Sequence, residues 1–474
     1  MVIHPLDNVE IRDDGHKYAR RAIKQGEDVI KYGMPIGHAT CDIAEGEHVH
    51  VHNLKTNLGD ILEYAYDEEE AGKCAEAFAE KETDIPEIKA YRHPDGRIGI
   101  RNDIWVIPTV GCVNNVAETL AKEAGGIALS HPYGCSQLGD DHETTAEMLA
   151  ALARHPNAGG VLVVALGCEN NTLETFVKRL GFDPSTFDSA NGTFKLEGGG
   201  DSNLNIRFLK AQDESDELEK GRVLIKELIA ARPSERVAVP VSELVVGLKC
   251  GGSDGFSGLT ANPLVGRFSD WLVRRGGSTV LTEVPEMFGA ETLLMKRCRT
   301  REVFCKCVKM INDFKDYYTR HNQVIYENPS PGNKAGGIST LEDKSLGCVQ
   351  KGGSSPVEDV LDYGESVKKK GLTLLTGPGN DLVASTVLAA AGCHIVLFTT
   401  GRGTPFGTVV PTMKISTNTR LSSAKKKWID WCAMGDGDVG RFAGKVMSVA
   451  SGEKALNELN RASSIAIFKD GVTL

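Results

Sequence analysis

The sequence has no apolar run that reaches the roughly 18 residues of a membrane span. A transmembrane helix is therefore not expected. Its start, Met1-Val2-Ile3-His4-Pro5-Leu6-Asp7, lacks the basic and then apolar layout of a signal peptide. A cytoplasmic protein is expected. The net charge is −10, which argues against nucleic acid as the main partner. None of the apolar runs read below as strands leads into Gly-x-Gly-x-x-Gly, and no Gly-Lys-Ser/Thr phosphate loop occurs. No nucleotide site is expected. The 12 cysteines lack the spacing of a secreted disulfide framework. In a reducing compartment they read as thiols, metal ligands or catalytic groups.

What is present fits a soluble globular protein of more than one core. With 474 residues, 41% hydrophobic and 25% charged, the chain has material for about three domains. Residues 1–86 read as a small β domain plus linker. Strands are expected at Val9–Ile11 and Asp28–Tyr32, with a short helix at His16–Ile23 between them. The acidic Glu68–Glu70 and a helical stretch, Ala75–Glu82, read as linker. Residues 87–235 read as a first α/β domain. Its strands are Ile104–Pro108, Ile127–Ser130 and Val161–Leu166. Its helices are Asn114–Ala124, Thr144–Arg154, Thr172–Leu180 and Glu214–Ala231. This βαβα order predicts a parallel sheet with helices on its faces. Asp188–Asp201 is Gly/Asn-rich and reads as a loop. Residues 236–474 repeat the pattern with strands 244–248, 278–282, 371–376 and 395–400. Helices are expected at 263–275 and Thr292–Ile311, and a long loop or lid at Pro329–Gly337. Cys305-Lys306-Cys307 is incidental, because residues i and i+2 do not share a helix face.

Two patterns carry chemistry. Four apolar runs end in a loop with cysteine beside glycine: Gly111-Cys112, Gly134-Cys135, Gly167-Cys168 and Cys250-Gly251. In open parallel sheets, ligands bind outside the carboxyl ends of the strands. Convergence of the four loops on one site is expected. Cys250 also opens Cys250-Gly251-Gly252-Ser253-Asp254-Gly255, with glycine N–H groups that can approach a ligand. The second pattern is His48-Val49-His50-Val51-His52-Asn53. On a strand, period two puts the three histidines on one face and the valines on the other. Such a face suits acid–base work or metal ligation.

The blocks Arg97–Asn102, Pro108–Asn114, His131–Gln137, Leu166–Glu169, Cys250–Pro263, Pro331–Asn333 and Phe398–Gly403 together resemble the altronate and galactarate dehydratase family. That family also includes sulfolactate sulfo-lyases. The N-terminal part resembles the small β-clip (SAF) domain placed before its catalytic part. The resemblance implies an α/β fold: a SAF-like β domain followed by two Rossmann-like parallel-sheet domains. It implies loss of water across C2 and C3 of a sugar acid, altronate first, to give a 2-keto-3-deoxy acid. The alternatives are another aldonate or aldarate, a sulfolactate-type C–S lyase, or a sugar-acid-binding metalloprotein without turnover. The family's iron or manganese dependence implies Fe²⁺, with Mn²⁺ second and an iron–sulfur cluster as the rival. The expected metal ligands come from Cys112, His131, Cys135, Cys168 and Cys250. The expected catalytic groups are His52, His50, Glu283 and Arg402. Asn53, Ser253, Asp254, Asn262 and Lys334 are expected to contact substrate. A homo-oligomer with only a small-molecule partner is expected.

Overall fold

The computed structural model describes residues 4–59, 63–200 and 202–474. Met1–Ile3 at the start, residues 60–62 of the expected linker and Asp201 of the expected loop lie outside the described residues. The first unit has six short strands: β1 (Val9–Ile11), β2 (Lys17–Ala19), β3 (Asp28–Lys31), β4 (Met34–Ala39), β5 (His48–Val49) and β6 (Leu54–Lys55). They make two three-stranded antiparallel sheets, β1-β2-β5 and β3-β4-β6. The helix expected at His16–Ile23 is corrected to β2 and a turn. Lys17 and Ala19 point inward while Tyr18 is half-buried, an alternation too short to separate from a helix start. The linker helix α1 (Glu68–Ala77) begins earlier than expected. Asp67 caps it, and Glu68–Glu70 fill the first turn, where the helix dipole favours acids.

The second unit runs β7 (Glu87–Arg92), β8 (Ile98–Gly99), β9 (Asp103–Pro108), α2 (Asn114–Ala124), β10 (Ile127–Ala128), α3 (Asp140–Ala153), β11 (Ala158–Ala165), α4 (Leu173–Arg179), β12 (Ile206–Lys210) and α5 (Glu217–Ala231). Its sheet has the order β10-β9-β11-β12, all parallel. β11 is buried along its whole length and β9 along nearly all of it. That is why both read as continuous apolar runs without alternation.

The third unit follows β13 (Val237–Pro240). It contains β14 (Val245–Cys250), α6 (Ala261–Arg274), β15 (Ser278–Leu281), α7 (Glu291–Met295), α8 (Arg301–Arg320), α9 (Pro331–Ala335) and α10 (Leu341–Cys348). It continues through β16 (Val357–Leu361), β17 (Gly371–Leu375), α11 (Asp381–Ala390), β18 (Ile395–Thr400), β19 (Thr412–Ser416), α12 (Thr419–Ala424), β20 (Trp431–Cys432), α13 (Val439–Ala450) and α14 (Leu456–Leu459). Seven parallel strands lie in the order β16-β17-β15-β14-β18-β19-β20. The chain leaves β14 toward β15 and leaves β18 toward β19. The order therefore reverses between β14 and β18, the kind of point where such sheets bind ligands.

Three segments depart from expectation. Thr292–Ile311 is broken into α7 and α8, because Cys298 bridges to Val357 and Thr300 caps α8. Pro329–Gly337 is not a loop throughout. Ser330 and Asn333 form a reciprocal cap that starts α9. A Gly435-x-Gly437-x-x-Gly440 run does sit between β20 and α13. Asp438 caps that helix and Asp436 pairs with Arg441. Carboxylates thus occupy the place that a phosphate would need.

Every residue of α10 is buried, including Glu342, Asp343 and Lys344. Three consecutive buried charges demand partners. Glu342 accepts from Thr56 Oγ1 and Asn57 N at 2.8 and 2.7 Å. Asp343 accepts from Lys17 Nζ at 2.7 Å and Lys31 Nζ at 2.8 Å. Both lysines come from the β domain, and both carboxylates face it. The β domain also presses Gly15 against the loop after β14. A Cβ on Gly255 would collide with the Gly15 carbonyl. Burial alone would raise the Asp343 carboxyl, but the two ammoniums outweigh it and hold it well below the usual range. Burial lowers Lys17 to about 8 against the pull of Asp343. One carboxylate between two ammoniums leaves a surplus positive charge. Asp343→Asn strands two buried ammoniums and should cost about 3–5 kcal/mol. Lys17→Met removes the surplus charge and should cost much less. Urea midpoints of the two full-length variants check that order.

Candidate active site

β14 ends in Lys249 and Cys250, both fully buried. Cys250 closes the strand and does not stand in the loop beyond it. Lys249 Nζ bonds Glu283 Oε1 at 2.8 Å and Asp381 Oδ1 at 2.9 Å. Glu283 follows β15 with φ 72° and ψ 57°, a left-handed conformation uncommon for a non-glycine residue. It is held there by Lys249 and by the Cys250 N–H, which donates to Glu283 Oε2 at 2.8 Å. One short turn later, Glu286 Oε1 pairs with Lys344 Nζ at 2.7 Å. Glu286 Oε2 accepts from Cys250 Sγ at 2.9 Å and from Cys348 Sγ at 3.2 Å. The two sulfurs are 3.4 Å apart, and Lys351 Nζ lies 2.9 Å from Cys250 Sγ.

The two carboxylates are pushed in opposite directions. Burial, reinforced by Glu286, raises Glu283 despite Lys249 and Lys351. Burial would raise Glu286 too, but Lys344 and Lys351 outweigh it and hold it low. Separated carboxyl pairs of this kind mark acid and base positions. The Cys348 thiol is raised by its bond to Cys250 and by burial.

Cys250, Glu286 and Cys348 bring their ligand atoms within 4.8 Å of one another, as a metal-binding triad does. Two sulfurs and one carboxylate oxygen make a mixed soft and hard donor set for a divalent metal. The charges also fit. Lys249, Lys344 and Lys351 face Glu283, Glu286 and Asp381. A dication with both thiols ionised leaves that balance at zero.

A cleft of about 590 Å³ opens beside this group. Gly251 and Gly252 after β14, Glu286 after β15, Asp381 after β17 and Lys344 of α10 line it. These are carboxyl ends of parallel strands. A larger cleft of about 640 Å³, lined by Arg101, Asp103 and Arg232, sits at the amino end of β9. It lacks that placement.

The residues expected from sequence are distributed as follows. Glu283 stands behind the cleft wall, joined to Asp381 through Lys249. Arg402 is exposed, with its Cβ beside Gly252. Ser253 is buried, and its Oγ has no partner. Asp254 accepts from Thr417 Oγ1 and Asn418 Nδ2 at 2.9 and 3.1 Å. Asn262 bridges Gly347 O and Thr399 Oγ1 at 2.9 and 2.6 Å. Asn53 is buried, accepting from His50 N and donating to His48 O, both at 2.9 Å. These last three fix loops.

The histidine strand is shorter than expected. β5 ends at Val49, the chain turns at Asn53, and Val51 is 51% exposed. The rings still gather: His48 lies 5.4 Å from His50, 5.6 Å from His52 and 5.0 Å from His16. His50 Nε2 meets the Lys334 carbonyl at 2.9 Å on α9, whose Ser330 and Asn333 line the cleft. Burial lowers both His48 and His50.

The five expected metal ligands fall in two places. Cys250 belongs to the seven-stranded sheet. Cys112, Cys135 and Cys168 are exposed at the carboxyl end of the four-stranded sheet. His131 engages backbone with both ring nitrogens, at Pro108 O and Tyr133 N. Lys344, Cys348, Lys351 and His16 were not legible as site residues. Burial in the fold distinguishes the first three, and His16, half-buried, is marked only by its contact with His48.

Three family profiles match the chain. The altronate/galactarate dehydratase SAF domain covers residues 3–57. The D-galactarate dehydratase/altronate hydrolase second domain covers 90–232, and the D-galactarate/altronate dehydratase C-terminal domain covers 241–473. Altronate dehydratase of Bacillus subtilis (strain 168) is 54% identical over 98% of this chain and 94% of its own length. Altronate dehydratase of Escherichia coli (strain K12) is 50% identical over 99% of this chain and 95% of its own length. Galactarate dehydratase (L-threo-forming) of Escherichia coli (strain K12) is 31% identical over 96% of this chain and 85% of its own length. Three matching domains in the same order and relatives at 50–54% identity along nearly the whole length show that the chain belongs to the altronate/galactarate dehydratase family.

Proposed function

We propose that the cleft binds D-altronate and removes water to give 2-keto-3-deoxy-D-gluconate. The observation that carries this reading is the Glu286–Lys344 pair at 2.7 Å on the cleft wall, beside the Gly251-Gly252 loop and Asp381. Lys344 and the Gly252 N–H anchor the substrate carboxylate, the Gly251 N–H being engaged by the Thr399 carbonyl at 3.0 Å. Arg402 adds a second positive charge at the loop, and the Ser253 hydroxyl is free to meet a sugar oxygen. Asp381 takes the C2 proton, with Lys249 and Glu283 stabilising it from behind. His52, with His50 second, would protonate the departing C3 hydroxyl as the acid–base group of the β domain; its histidine face adjoins the α9 wall of the cleft, where His50 Nε2 meets the Lys334 carbonyl, and does not itself line the cleft. The C2 enol then becomes the ketone. Lys334 holds α9 against this histidine face. Fe²⁺ held by Cys250, Glu286 and Cys348, with Mn²⁺ second, would supply a Lewis acid for substrate oxygens.

The same proposal divides the chain after residues 86 and 235 and places it in the cytoplasm as a homo-oligomer. All twelve cysteines are free, which suits a reducing compartment. Among the described residues no helix is long and apolar enough to cross a membrane.

A sugar-acid panel with anaerobic, iron-replete protein should yield a 2-keto-3-deoxy product from altronate fastest. Sulfite from sulfolactate, with no keto product from any sugar acid, overturns the reading. His52→Ala should lower kcat by about 10²–10⁴-fold with metal content unchanged. Asp381→Asn should do the same without raising KM for altronate comparably, because its role is in proton transfer.

A further inference from the structure

The cleft of about 640 Å³ at the amino end of β9 has no part in the reaction above. It lies where the second unit meets the third. Arg101 and Asp103 stand at the start of β9, Arg232 and Arg236 on the strap from α5 to β13, and Lys454 between α13 and α14. Of the charged side chains that line it, four are cationic and one, Asp103, is acidic. The chain as a whole carries −10, so this cleft runs against its general charge. A recess lined by one sign of charge concentrates ions of the other.

Three guanidinium groups share one short piece of backbone. Arg101 Nη1 and Arg236 Nη2 both donate to the Ile100 carbonyl, each at 2.8 Å. Arg232 Nη1 donates to the Asn102 carbonyl at 3.0 Å. Like charges held this close call for an anion. Glu458 serves Arg101, accepting at 2.6 and 2.8 Å, and reaches Lys454 Nζ at 3.4 Å. Among the described residues, Arg232 and Arg236 meet no carboxylate at ion-pair distance. Arg236 gives its other hydrogen bonds to the Lys89 and Ala450 carbonyls, at 2.6 and 3.3 Å, and lies 4.6 Å from the centre of the Tyr91 ring. Burial lowers Arg236, and the neighbouring Arg101 lowers it further. Asp103 and Glu458 thus face Arg101, Arg232, Arg236 and Lys454, and two positive charges stay unmatched.

We propose that this cleft binds a phosphate dianion, free or as the ester of a small metabolite, between the second and third units. A phosphate monoester carries about −2 near pH 7, which matches the unmatched charge. Arginine forks fit phosphate oxygens in pairs. Arg232 spends one N–H on the backbone and keeps the rest of its fork for the ligand. Lys454 is exposed and adds a mobile ammonium from the third unit. The three guanidiniums lie along one stretch of backbone, which suits a compact dianion better than a dicarboxylate with its charges at two ends. Tyr91 and the partly exposed Ile229 give the organic part of an ester an apolar wall. The site binds and does not react, because parallel sheets place reacting groups at the carboxyl ends of strands. It does not depend on which acid is dehydrated.

The test is isothermal titration calorimetry of the full-length protein in phosphate-free buffer, with glycerol 3-phosphate, inorganic phosphate and glutarate. Saturable binding of one phosphate compound per chain is expected, with glutarate weaker. A tighter ester identifies a phosphorylated metabolite as the ligand, and equal binding identifies free phosphate. Arg232→Ala and Lys454→Ala should each weaken binding about tenfold, the loss of one charge-assisted hydrogen bond. Their unfolding temperatures in phosphate-free buffer should match that of the unaltered protein. No saturable binding of either phosphate compound overturns the proposal, as does tighter binding of glutarate. Full affinity in the double variant also overturns it, since the phosphate is then held elsewhere. So does a raised KM for altronate in Arg232→Ala, which would make the cleft part of the substrate site.

Discussion

The Lys17–Asp343–Lys31 bridge is the constraint on which the site depends. α10 is buried on all sides, so its position is set by what its charges meet. Glu342 and Asp343 fix it to the β domain. Lys344, the next residue, faces Glu286 and the cleft, and Cys348 ends the helix beside Cys250. A shift of this helix would move the anchor, the thiol and the β domain together. The β domain thus shapes the site through α10 and α9, although none of its residues lines the cleft.

Much of the fold was legible in the sequence. Strands buried on both faces gave continuous apolar runs, and α2 matched its expected bounds because Gly125 at its end adopts the left-handed cap conformation. Errors arose where local sequence is ambiguous. Lys17–Ala19 is too short to show its period, and α9 depends on a two-residue cap inside a Gly/Pro-rich stretch. Sheet membership was not legible at all. Cys250 has the same local pattern as the other three loop cysteines, yet it lies in a different sheet.

The site was half legible. Glu283, Glu286 and Asp381 stand just past strands, where a reader looks for chemistry. Lys344, Cys348 and Lys351 sit on and after a helix whose sequence, Leu-Glu-Asp-Lys-Ser-Leu-Gly-Cys, looks solvated. Consecutive charges normally indicate an exposed face. Only the fold shows that each one meets a buried partner. His16 escaped for a similar reason, since its place beside His48 comes from strand pairing over 32 residues.

The bridge also bears on biosynthesis. Lys17 and Lys31 precede their shared aspartate by 326 and 312 residues. At about 5–20 residues per second, a ribosome makes Asp343 some 16 to 65 s after Lys17. Through that interval the nascent β domain carries two lysines destined for burial and no counter-charge for either. Those side chains must stay hydrated until the carboxylate emerges. Of the three units described, the one made first is thus completed only by a residue of the one made last.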